Sequence, residues 1–293
     1  MNFKEKAKEH TKQLKDQTLE HTKQIYDETL IIAEKQIQKG IHHTQQLGFH
    51  LFIFVCRLAI FLTVFVLYIL HREWLNNFMN TPFFWKLSPF HFLWGIFMFI
   101  MLAHLIPNNK LTMAWQKAKG HAYRPVEDYK RLQLLETIQR MNIRAWIVLL
   151  VWLSFNAIFG LLYLLGILIA GDLMMLSVFY YLCDYICILF YCPFQSVIMK
   201  NKCCINCRIY DWGHFMMFTP LLFIKNFYSW SLFFTSIVVI IHWEIGFAKH
   251  PERFWEGSNQ SLQCKNCKEK TCQIKRKLSG RPLPNFGHTS THK

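Results

Sequence analysis

Charge is scarce in this chain. Only 17% of its 293 residues are Asp, Glu, Lys or Arg, where a soluble domain has nearer a quarter. Hydrophobic residues make up 53% and are gathered into runs. Together these features argue against an ordinary water-soluble globule and predict an integral membrane protein. Acids are scarcer than bases, 18 against 33, and the formal charge is +15. In a membrane protein such an excess speaks to orientation; no base-reading motif accompanies it, so nucleic acid is not an expected partner. A cleavable signal peptide is not expected either, because the opening MNFKEKAKEHTKQLKDQ lacks a short apolar core. No nucleotide-binding loop, HExxH helix or nucleophile elbow occurs, which leaves hydrolase chemistry unsupported.

What is present is a succession of apolar spans. Residues 1–47 form a polar segment in which EHTKQ at 9–13 returns at 20–24. That eleven-residue period predicts a long helix. Its weak stripes, Leu14 with Ile25 and Leu19 with Leu30 and Ile41, suit the membrane surface or a protein partner. Residues 48–106 predict a two-helix membrane hairpin with spans 48–70 and 88–106. Residues 107–144 predict a basic loop whose helix, RPVEDYKRLQLLETIQRMN, has Pro125 in its first turn and a stripe of Val126, Tyr129, Leu132, Leu135 and Ile138. Residues 145–199 predict a second hairpin, turning at Gly171–Asp172. Residues 200–209 form a Cys-rich loop. Residues 210–248 predict a third hairpin, a short helix 210–226 and a longer one 229–248. Residues 249–293 form a basic, Cys-containing tail whose end is expected to be disordered. The predicted fold is all-α: a multi-pass bundle of six spans, or four plus a re-entrant hairpin, with cytosolic amphipathic helices and a small cysteine knuckle.

The charges orient this scheme. With six spans and a cytosolic N-terminus, the outer segments carry only Arg72, Lys86 and Lys225 of the 33 Lys and Arg. That asymmetry predicts a cell or inner membrane location with both termini cytosolic. Anionic lipid headgroups are the simplest partners for the basic face.

The same topology gives meaning to the ten cysteines. CCINCR at 203–208 and CKNCKEKTC at 264–272 repeat the form C-x-N-C followed by a base. A closing hairpin brings both to the reducing side, where thiols stay unpaired. Two C-x2-C turns can each give two thiolates to one tetrahedral ion. Cys204, Cys207, Cys264 and Cys267 are the predicted ligands, with Cys203 and Cys272 as additional ones and Arg208, Lys265 and Lys268 offsetting thiolate charge. Zinc is the leading expectation; an iron–sulfur cluster, a redox dithiol and unligated thiols are the alternatives. The two CxxC pairs resemble zinc-ribbon and rubredoxin-like knuckles. Residues 48–104, with GFH opening the first span and FLWGIFMFIMLAH in the second, resemble the bacterial 2TM-domain membrane module, which implies only a membrane module.

Ionisable residues inside spans are functional candidates by default. Arg57, Asp184, His242 and Glu244 are the intramembrane polar candidates, and Arg57 and Asp184 are expected to pair. His50, His104, Asp211, His214, His242, Glu244 and Cys192 are expected near the cytosolic ends of their helices, as a belt of anchors or as a metal- or proton-handling site. Three functional classes follow. The first is a membrane scaffold, sensor or assembly factor with a zinc clip. The second is a membrane redox protein using an iron–sulfur or dithiol site. The third is a small ion or solute transporter using Arg57, Asp184 and Glu244.

Overall fold

The computed structural model describes residues 20, 23, 24, 31, 48–73, 89–106, 123–201, 207–263 and 266. The chain divides into residues 1–52 and 53–293. Within 1–52 the described residues are helical; most of the predicted N-terminal helix lies outside them, as do the 107–122 loop and the chain after 266.

The described residues contain no strand. Long helices are α1, Gly48–Leu70, α2, Pro89–Leu105, α3, Arg131–Leu164, α4, Ala170–Leu189, and α6, Phe227–Lys249; the short helix α5 covers Gly213–Phe218. Four of them, α1, α3, α4 and α6, are long and apolar enough to cross a membrane. Their outward surfaces are hydrocarbon: Leu70 is 66% exposed, Leu164 68% and Phe234 53%. A water-soluble protein rarely leaves so much contiguous apolar surface uncovered, so the exterior fits a lipid environment.

Two features differ from the sequence expectations. The third span is not preceded by a separate helix. Helix α3 begins at Arg131 and runs unbroken for 34 residues, since no Pro or Gly interrupts it before Gly160. Pro125 sits outside it, bridged to Asn259. The turn between α3 and α4 is also displaced. It lies at Gly166, whose φ of +75° favours glycine. Asp172 instead falls in the first turn of α4, where its carboxylate accepts the Ile169 N–H at 2.9 Å and holds the helix start.

Residues 208–249 form a hairpin. Trp212 donates to Glu244, the Phe215 and Phe233 rings are 6.2 Å apart, and Trp230 donates to the Leu222 carbonyl. These contacts run in antiparallel order. The first arm is irregular: a 3-10 turn Tyr210–Trp212, then α5, then a 3-10 turn Thr219–Phe223. At ~2.0 and ~1.5 Å per residue these pieces rise about 25 Å, close to the rise of α6 from Phe227 to Glu244. Pro220 in the second 3-10 turn has no N–H to give a helix ladder. The arm fits because neighbours make room: a Cβ on Gly160 would land on the Phe223 ring. Asn226 caps α6, accepting from the Ser229 N–H at 2.7 Å.

Candidate functional site

Five ionisable side chains from four parts of the chain meet at one level of residues 53–293. Arg57, on α1, donates to an Asp184 oxygen at 2.8 Å and to the Tyr181 carbonyl at 2.8 Å. Its guanidinium lies over the Tyr181 and Tyr185 rings, 4.2 and 4.7 Å from their centroids. This is the pair expected from sequence. Asp184 projects against the irregular arm, where a Cβ on Gly213 would sit 2.9 Å from its Oδ1. A side chain there would have to displace the Asp184 carboxylate.

Beyond Gly213 the cluster continues. Asp211 is 6% exposed, and its Oδ2 is buried without a hydrogen-bond partner among the described residues. Its other oxygen lies 4.0 Å from Nδ1 of His104, at the end of α2. The His104 and His214 rings meet edge to face with centroids 5.0 Å apart. The Asp184 charge acts on Asp211, and the Arg57 and His104 charges act on His214. Asp211 and His214 are three residues apart, which puts them on one face of either kind of helical turn.

A second charged centre sits where the hairpin closes. Arg208 is 7% exposed. It forks onto both Glu244 oxygens, with Nη1 donating to Oε1 at 2.7 Å and Nη2 to Oε2. Its Nε donates to Asn142 on α3 at 3.2 Å, and its plane stacks 3.8 Å from the Phe247 centroid. Trp212 donates to Glu244 at 2.9 Å, and Trp243 to the Arg208 carbonyl at 2.8 Å. Arg208, expected beside thiolates, is thus engaged by a carboxylate, and Glu244 is tied to the arm by Arg208 and Trp212. His242 does not join them: it is exposed, because two residues along a helix turn it to the opposite side.

Of the predicted metal ligands only Cys207 is described. It is 6% exposed and packs in an apolar cluster with Met199, Trp243, Phe247 and Phe254. Cys203, Cys204, Cys264, Cys267 and Cys272 lie outside the described residues. The stretch leading towards Cys264 is nevertheless anchored. Val126 donates to the Ser258 carbonyl at 3.1 Å and Gln260 to the Arg124 carbonyl at 2.8 Å. Among the described residues no three His, Cys, Asp or Glu side chains are grouped to hold a metal ion.

Sequence reasoning missed a buried chain of hydrogen bonds between the helices. Tyr180 donates to Asn156 Oδ1 at 3.2 Å, Asn156 donates to the Trp152 carbonyl at 2.9 Å, and Trp152 donates to Thr219 at 3.1 Å. Asn156, a lone amide inside an apolar span, was the available signal. No family model, curated protein or solved structure matches this chain.

Proposed function

We propose that this is an integral membrane protein of six crossings, with both ends cytosolic, that moves an ion or small solute by way of its buried ionisable cluster. The four apolar helices, shorter α2 and the irregular arm supply the crossings, and the uneven spread of Lys and Arg supplies the orientation. The observation that carries the reading is the convergence of Arg57, His104, Asp184, Asp211 and His214 inside an apolar exterior. A charged residue in a membrane span costs roughly 2.5–3.5 kcal/mol on insertion scales. A bundle needing only cohesion gains more from apolar packing than from five ionisable groups. Glu244 fastens the hairpin in this reading and handles no cargo. Flux of protons and alkali cations into proteoliposomes tests it. Wild-type protein should conduct, and Asp184→Asn should fall to the protein-free level. A wild-type rate equal to that of empty liposomes refutes it.

A second proposal concerns the cysteines. Cys204, Cys207, Cys264 and Cys267 ligate zinc and clip the 200–209 loop to the tail, as in a membrane scaffold, sensor or assembly factor. The position of Cys207 beside Phe254, at the end where Ser258 and Gln260 pin the tail, favours this. Metal analysis of protein purified under reducing conditions decides. Zinc should be present and lost in Cys264→Ser; visible absorbance would point to iron–sulfur, and metal-free protein removes the clip.

A further inference from the structure

Two carboxylates, Asp184 and Asp211, stand together in the buried cluster with one permanent cation, Arg57. Arg57 Nη1 donates to Asp184 and to the Tyr181 carbonyl, and its guanidinium lies over two aromatic faces; its buried Nε meets no acceptor among the described residues. Among the described residues the cluster therefore holds one permanent cation for two carboxylates, and no second one is placed beside Asp211. Its carboxylate is 5% exposed, and its Oδ2 meets no donor among the described residues. A buried carboxylate in that position must be neutralised.

The groups facing it narrow the choice. From α1 comes Arg57, from α2 His104, from α4 Asp184, and from its own arm His214. On α6 Glu244 is held by Arg208 and Trp212 on the other side of the turn, and His242 and Lys249 lie on the exposed side of that helix. Among the described residues no lysine or second arginine joins the cluster. The described His, Cys, Asp and Glu do not form a metal-holding group either. An imidazole 4.0 Å from the other Asp211 oxygen can exchange a proton with it after a small movement.

We propose that Asp211 and His104 form a single-proton binding site, with Asp211 as the proton-bearing group and His104 as the group that exchanges with it. The proton comes from solvent. It converts the Asp211 carboxylate to a carboxylic acid and leaves Asp184 ionised against Arg57. The cargo or coupling ion of the transport reading is thereby a proton, and the inference rests on that reading only for its physiological use. The carboxylate's position on the 3-10 turn that begins the irregular arm links its charge to the packing of that arm.

Infrared difference spectra of the purified full-length chain, taken between acid and alkaline pH, test the site without any flux measurement. A protonated-carboxyl carbonyl band should appear on acidification in the wild type. It should be unchanged when sodium replaces choline, be absent in Asp211→Asn, and return at a shifted frequency in Asp211→Glu. His104→Gln should retain the band and move its titration midpoint. If Asp211→Asn fails to fold, the shift in Asp211→Glu still assigns the band. A band that persists in Asp211→Asn, or does not move in Asp211→Glu, places the proton elsewhere and overturns the proposal. Suppression by sodium overturns it in favour of an alkali-cation site, and no titrating carboxyl overturns it outright. Proton uptake without liposome flux leaves the site standing and removes the transport reading.

Discussion

Glu244→Gln separates the fastening role of Glu244 from any role in handling cargo. Arg208 is 7% exposed and its fork is closed by the two Glu244 oxygens, while the Glu244 side chain is 34% exposed. Gln keeps an acceptor for Trp212 but turns an amide towards the guanidinium. A buried charge that loses its partner costs roughly 3–5 kcal/mol. Water reaching the exposed third of this site reduces that to about 2–3 kcal/mol. Arg208→Met is milder, because the remaining carboxylate keeps the Trp212 donor and meets water; about 1 kcal/mol is expected. The double variant should lie near Arg208→Met, since removing both charges removes the unpaired one. At ~2–4 °C per kcal/mol, Glu244→Gln lowers the unfolding midpoint in detergent by about 4–12 °C. Equal losses in the two single variants, or additive losses in the double one, would refute the reasoning. Flux measured below the midpoint should be unaffected by Glu244→Gln.

Other perturbations test the packing. Gly160→Ala forces a Cβ onto the Phe223 ring and should cost ~1–3 kcal/mol; a smaller residue in Phe223→Ala should restore part of it when the two are combined, as detergent melting will show. Asn156→Ala leaves Tyr180 and Trp152 with one hydrogen bond fewer each. It should cost about 1 kcal/mol, the usual size for an interhelical hydrogen bond in a membrane, with Tyr180→Phe losing most of the same increment in a double-mutant cycle. Asn226→Ala removes the cap at the start of α6 and should cost ~0.5–2 kcal/mol, whereas Asn226→Asp should be nearly silent in the same assay.

Apolar length was legible because it is a local property. The bounds of α1, α2 and α6 fall within two residues of the predicted spans, since each is a run of hydrocarbon ended by polar residues or Pro. The Arg57–Asp184 pair was legible for a related reason: two opposite charges in apolar runs have few other places to go. Helix ends were less legible. Leu132 and Leu135 lie on an exposed face of α3, and a stripe that reads as a separate surface helix proves continuous with the span after it. Asp172 was read as a turn residue, although a short acid beside glycine is equally a helix-start signal. His104 and Asp211 were expected in one polar belt, but their approach to 4.0 Å was not legible, because 107 positions of sequence separate them and only the return of the arm past α2 brings them near.

The irregular arm explains why two charge centres coexist in the same hairpin. Asp211 and Trp212 are neighbours on one 3-10 turn. The first faces His104 and Asp184, and the second reaches Glu244. A regular helix crossing would give its whole backbone ladder to itself and present one apolar stripe to each neighbour. The broken arm instead lets Gly213 press against Asp184 while Trp212 anchors the opposite side. The contacts that close the hairpin and those that surround Asp211 therefore share a single turn of chain.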